Sequence, residues 1–165
     1  MGVGKVFVIG VGIQGAASLL PQAQQAIEQA DILMGGERLL QAFPSAGKER
    51  IVIRNNLAEI VERLKEREEN SQVVVLTSGD PLFYGIADFL LRHLPPEEIE
   101  IFPNVSSMQW AFARIKESWT DAVFVSAHGR GLDGVIEAVR QAGKIGVFTD
   151  PTHTPAAIAR EMGRS

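Results

Sequence analysis

The sequence predicts an α/β fold on a mostly parallel sheet, and three observations carry that expectation. Short β-rich runs alternate with helical stretches along the 165 residues, the rhythm of strands joined by helical crossovers. One run, Val73-Val74-Val75-Leu76, is continuously apolar, as a central strand covered on both faces must be. Hydrophobic residues make up 45 % of the chain, enough to build a core on both sides of a sheet.

Taken in order, Lys5–Ile9 reads as a buried strand ending at Gly10. Pro21–Ala30 reads as a helix, with Pro at its first turn, where a missing N–H costs nothing. Asp31–Met34 is a second strand, closed by Gly35-Gly36, and Arg50–Ile53 a third. Asn56 is placed to cap a helix over Leu57–Glu68, where Leu57, Ile60, Val61 and Leu64 share one face. Gln72–Thr77 is the central strand, followed by a helix over Leu82–His93 and an edge strand over Glu98–Phe102. Ser106–Ile115 is helical, with Met108, Trp110, Phe112 and Ile115 as packing residues. Glu66-Arg67-Glu68-Glu69 reads as a solvated helix end. After Trp119 the rhythm restarts with a strand over Asp121–Ala127, a helix over Leu132–Ala142, a strand over Lys144–Thr149 and a helix over Pro155–Met162.

These elements divide into an N-terminal lobe, 1–117, with five strands, and the start of a second α/β lobe, 118–165. The polar pair Glu117-Ser118 marks the boundary. Two strands leave open ladder edges, and only Gly163-Arg164-Ser165 follow the last helix, so the second lobe reads as cut short of its final strands.

Composition removes several function classes. Sixteen Lys and Arg against twenty Asp and Glu leave a net charge of −4, which argues against nucleic acid as a partner. The absence of cysteine removes disulfides, thiolate nucleophiles and Cys-based zinc sites. His93 and His153 have no metal-ligand spacing with a partner, so no metal site is expected. No apolar run approaches the roughly 18 residues of a membrane span. No basic stretch leads into a signal-peptide core at the N-terminus, so the expected location is the cytoplasm.

Four loops at strand carboxyl ends hold the chemistry. Gly10-Val11-Gly12-Ile13-Gln14-Gly15 matches G-x-G-x-x-G, and Asp31 follows it, which read literally is a dinucleotide fingerprint. Pro21 argues against that, since it would break a helix begun inside the glycine run, and Asp31 opens the second strand instead of closing it. The glycines then serve either a plain turn or a different ligand loop. The second loop, Thr77-Ser78-Gly79-Asp80-Pro81-Leu82-Phe83-Tyr84-Gly85, is either a capped turn or a ligand site. In the third, Pro103-Asn104-Val105-Ser106-Ser107, at least one serine suits a helix N-cap. In the fourth, Ser126-Ala127-His128-Gly129-Arg130, His128 and Arg130 are either structural or able to hold a carboxylate or move a proton.

Together the four loops resemble the tetrapyrrole methylase family. Val8-Ile9-Gly10-Val11-Gly12 is similar to its first-strand motif, Gly79-Asp80-Pro81 to its G-D-P signature, and Pro103-Asn104-Val105-Ser106-Ser107 to its P-G-V-S-S segment. Leu76–Ile86, Pro103–Arg114 and Val125–Arg130 resemble the precorrin-6Y and cobalt-precorrin-7 C-5 methyltransferase branch of cobalamin biosynthesis. The chain departs from the family at Ile13-Gln14-Gly15, where Gly-Pro-Gly is usual. It departs again at Asn104, which replaces a glycine and is expected to tolerate the left-handed backbone region.

The resemblance implies a two-lobed methyltransferase that binds S-adenosylmethionine (SAM) between its lobes, through Ile13, Gly79, Asp80, Phe83, Ser106, Ser107 and Thr149. It also implies a tetrapyrrole substrate rich in carboxylates, for which Arg114 and Arg130 are the donors and His128 the group for proton transfer or positioning. A homodimer, and a separate chain for C-15 methylation and decarboxylation, complete the expectation. SAM affinity is expected to be weaker than in a longer chain that closes the adenosine side. Another tetrapyrrole methylase or a diphthine-synthase-like enzyme is the nearest alternative, and a NAD-binding oxidoreductase a more distant one.

Overall fold

The computed structural model describes residues 4–43, 47–127 and 132–163. It divides into two compact units, Met1–Ser107 and Met108–Ser165.

The first unit is an open sheet of five strands: β1 (Val6–Val11), β2 (Ile32–Gly35), β3 (Glu49–Val52), β4 (Val73–Ser78) and β5 (Ile99–Phe102). All are parallel, in the order β3-β2-β4-β1-β5, so the continuously apolar strand is central as its composition requires. The strand order fixes which face each helix covers. The connections β1→β2→β3 run one way across the sheet and β3→β4→β5 run the other, so right-handed crossovers place their helices on opposite faces. One core holds α1 (Pro21–Gln29) and α2 (Glu37–Gln41) against Ile9, Leu33, Val74 and Leu76. The other holds α3 (Leu57–Lys65) and α4 (Ala87–Leu91) against Val6, Val8, Ile32, Met34, Val73 and Val75. Alternate residues of each strand therefore serve alternate cores.

Several local expectations are corrected. The helix expected over Leu82–His93 shrinks to α4, because Tyr84 has φ 56°, a left-handed backbone that a helix cannot contain. Asn56 makes no side-chain cap on α3. Its Oδ1 instead accepts from the Arg54 N–H, and its Nδ2 donates to the Val52 carbonyl, closing the loop out of β3. The charge run after α3 is not wholly solvated, since Arg67 is 6 % exposed. Its guanidinium reaches the Gly4 carbonyl at 2.6 Å, the Leu64 carbonyl and the Glu98 carboxylate. Helix α2 was not expected, and at five residues it is too short to show a periodicity.

The second unit contains α5 (Ser107–Ile115), whose first residue belongs to unit one, then β6 (Val123–Ser126), α6 (Asp133–Gln141), β7 (Ile145–Phe148) and α7 (Pro155–Met162). β6 and β7 pair in parallel. The division falls at the first residue of α5, between Ser107 and Met108, ahead of the expected boundary at Glu117-Ser118. Phe112 of α5 stacks edge-on against Phe124 of β6, and Gly146 of β7 leaves room for both Phe124 and Met108. Met108 and Phe112 are buried as expected, but Ile115 is 64 % exposed and is not a core residue.

Candidate functional site

The carboxyl ends of β1, β4 and β5 lie side by side, since β1 is hydrogen-bonded to both others. In open α/β sheets this is where ligands sit. The chain after β1 turns through a short 3-10 helix, Gly15–Ser18, and α1 begins only at Pro21. A long loop results, without a helix N-terminus in the glycine run, so the dinucleotide reading loses its phosphate-binding element.

Backbone packing holds the three loops together. The Gly79 N–H donates to the Val11 carbonyl at 2.8 Å. A Cβ on Gly10 would stand 2.0 Å from the Gly79 carbonyl oxygen, and one on Gly79, at φ +66°, 2.9 Å from the Ser106 Cα. Only glycine fits either position.

Asn104 supplies the polar link. Its Nδ2 donates to the Gly10 carbonyl (3.1 Å) and the Ser18 carbonyl (2.9 Å), and its Oδ1 accepts from the Val105 N–H. Ser18 Oγ in turn accepts from the Gly12 N–H at 3.1 Å. Asn104 is not among the non-glycine residues with positive φ, so the expected reason for tolerating it is corrected: its side chain bridges two loops. The departure from a family glycine was visible in the sequence, but the bridge was not.

Ile13, Gly79, Asp80, Phe83, Ser106 and Ser107 belong to these three loops. Ile13 is 70 % exposed beyond β1, and Ser106 is buried while Ser107 opens α5. Asp80 Oδ1 accepts from the Leu82 N–H at 2.9 Å and the Asp80 carbonyl from the Phe83 N–H at 3.2 Å, a turn that places Pro81 well before α4. Asp80 Oδ2 makes no hydrogen bond among the described residues. The Phe83 and Tyr84 rings meet edge-on at 5.2 Å, and Leu82, Tyr84 and Val105 are exposed, giving this end apolar surface. Thr149, just past β7, and Arg114, in the last turn of α5, are exposed residues of the second unit. His128 and Arg130 lie outside the described residues. Among the described residues there is no cluster able to hold a metal and no helix long and apolar enough to cross a membrane.

An open parallel sheet whose β1, β4 and β5 loops pack on one another at the carboxyl ends of the strands defines an α/β fold with its candidate site at that edge. The model of the tetrapyrrole (corrin/porphyrin) methylases matches residues 5–165, and the chain belongs to that family and is a methyltransferase. It is 36 % identical over 155 residues to a cobalt-precorrin-7 C(5)-methyltransferase of Salmonella typhimurium, across 94 % of this chain and 76 % of that one. It also resembles the crystal structure of a precorrin-6Y methylase of cobalamin biosynthesis from Archaeoglobus fulgidus. The TM-score there is 0.65 at 25 % identity, over 93 % of this chain and 77 % of that one. A Thermus thermophilus uroporphyrin-III C-methyltransferase, solved with S-adenosyl homocysteine, shares the fold at TM-score 0.69 and 20 % identity, over 98 % and 72 % of the two chains.

Proposed function

We propose that the chain methylates carbon C-5 of a corrin-ring precursor, precorrin-6Y or cobalt-precorrin-7, with SAM as methyl donor. The observation that carries this reading is the junction of the β1, β4 and β5 loops, in a chain 36 % identical to a C(5)-methyltransferase over 94 % of its length. The residues present fit SAM: a carboxylate oxygen of Asp80 is left over for a hydroxyl or ammonium donor, and Ile13 and Leu82 offer exposed apolar contact. When bound, SAM supplies an electrophilic methyl group on a sulfonium centre.

The chain's own part is binding, orientation and exclusion of water. Asp80 accepts hydrogen bonds from the cofactor, while Gly79, Ser106 and Ser107 bring backbone close to it. Ile13 and Phe83 pack beside it, and Thr149 is a further cofactor contact in this reading. Arg114 and Arg130 pair with the carboxylates of the ring, and His128 moves the proton or positions the ring. The same reading has the protein act in the cytoplasm as a homodimer, with C-15 methylation left to a separate chain.

Calorimetry with SAM tests the cofactor assignment directly. Asp80→Ala should weaken SAM binding about tenfold, the cost of one hydrogen bond to a charged group. Asp80→Asn, which keeps the Oδ1 turn, should weaken it less. Unchanged affinity in Asp80→Ala, or a protein that binds NAD and not SAM, would overturn the reading.

A further inference from the structure

Apolar exposure in the first unit is confined to one edge. Among its described residues, the exposed large hydrophobic side chains are Ile13, Leu20, Leu82, Tyr84 and Val105. All five lie in the loops that follow β1, β4 and β5. Single apolar residues scattered over a surface mean little, but a set gathered at the ligand end of a parallel sheet marks a binding surface. The cofactor reading uses Ile13 and Leu82, which leaves Leu20, Tyr84 and Val105 without a part in it.

Tyr84 differs from the others in its backbone. The segment around it is pinned on both sides. The Phe83 N–H donates to the Asp80 carbonyl at 3.2 Å, and the Ala87 N–H to the Pro81 carbonyl at 3.1 Å. Gly85 passes so near Pro81 that a Cβ on it would stand 2.3 Å from the Pro81 carbonyl oxygen. Tyr84 makes that closure at φ 56°, where glycine or asparagine would sit with less strain. Burial does not account for a tyrosine there, since the residue is 47 % exposed. Phe83 meets it edge-on, with the ring planes at 61°, and so fixes the direction of the ring. A strained position that keeps a large exposed ring points to something the ring touches.

We propose that Tyr84 is a substrate-binding residue whose ring stacks against the flat face of the corrin-ring precursor; this rests on the C-5 methylation reading. A partly conjugated macrocycle presents an apolar face and a rim of carboxylates. Its rim needs cations, and its face needs aromatic and aliphatic contact. Val105, next to the Ser106 that packs on Gly79, extends that apolar surface onto the loop after β5. Stacking sets the plane of the macrocycle, and with it the angle at which a ring carbon meets the methyl group.

The test uses the full chain. Precorrin-6Y affinity is read by absorbance titration, SAM affinity by calorimetry and methyl transfer by mass spectrometry. Tyr84→Asn suits the left-handed backbone but removes the ring. It should weaken precorrin-6Y binding about tenfold, the scale of one lost stacking contact, and keep SAM affinity within twofold of wild type. Tyr84→Phe keeps the ring and should bind precorrin-6Y within threefold of wild type. Three results would each overturn the proposal: precorrin-6Y affinity within twofold of wild type in Tyr84→Asn, equal losses in the two variants, or SAM affinity falling in parallel. All three leave the C-5 reading standing. A wild-type protein that binds precorrin-6Y and SAM without methylating C-5 overturns that reading alone, and one that binds no precorrin-6Y overturns both.

Discussion

Gly79 and Ser106 approach so closely that a methyl group on the glycine would stand 2.9 Å from the serine Cα. The contact joins the loop after β4 to the loop after β5, and Gly79 holds φ +66° to make it. Gly79→Ala should therefore cost about 2 kcal/mol from strain and displacement together. SAM affinity should fall with it, because the displaced segment carries Asp80. Thermal melts and calorimetry on the same variant check both; a wild-type melting temperature would show that the loops separate easily.

Asn104 offers a second handle on the same junction. Asn104→Ala removes the donors to the Gly10 and Ser18 carbonyls and should destabilise the protein by about 1–2 kcal/mol. Asn104→Gly, the residue usual in the family, should not recover the loss, since the bridge is made by the side chain. Denaturant midpoints for the two variants decide this.

Arg67 should be the most sensitive charged residue of the first unit. Arg67→Met removes a buried guanidinium that serves the Gly4 and Leu64 carbonyls and Glu98, and should cost about 3 kcal/mol. Urea unfolding measures it, and a cost below half that value would place the side chain in solvent.

The second unit should show a pH signature. Lys144 hydrogen-bonds to Asp121 and holds its carboxyl below the ordinary 3.8, while Asp121 and then Glu117 raise Lys144 above 10.5, against some opposing desolvation. A depressed carboxyl contributes stability that is present above 3.8 and lost as pH falls through its folded value. A raised ammonium contributes stability that is present below 10.5 and lost as pH rises through its folded value. The melting-temperature gap between wild type and Lys144→Met should thus be flat between 3.8 and 10.5 and narrow on either side. The gap should be small throughout, because Asp121 is exposed. A gap that keeps widening toward acid would contradict the pairing.

Much of the fold was legible because strand burial leaves a mark in composition. Val73–Leu76 could only be central, and Pro21 could only open a helix. The candidate site was legible as loops, through Gly79-Asp80-Pro81 and the two serines. What the sequence hid was tertiary. Tyr84 adopts a left-handed turn that no propensity predicts, and Arg67 is buried by a glutamate far along the chain. The 3.1 Å contact between Asp150 Oδ2 and His153 Nδ1 was hidden too, because an i, i+3 carboxylate and imidazole look like any loop until the turn aims them at each other.

The strand order has a kinetic consequence. Because β1 pairs with β4 and β5 and not with β2, the loop after β1 meets its partner only when the chain closes on itself. The bond from Asn104 to Gly10 spans 94 positions. Contacts of such separation form slowly, since loop closure must precede any gain from them. The junction of these loops should therefore be among the last parts of the first unit to assemble on refolding. A ligand that binds there selects fully closed molecules, so it should slow global unfolding without accelerating the early collapse.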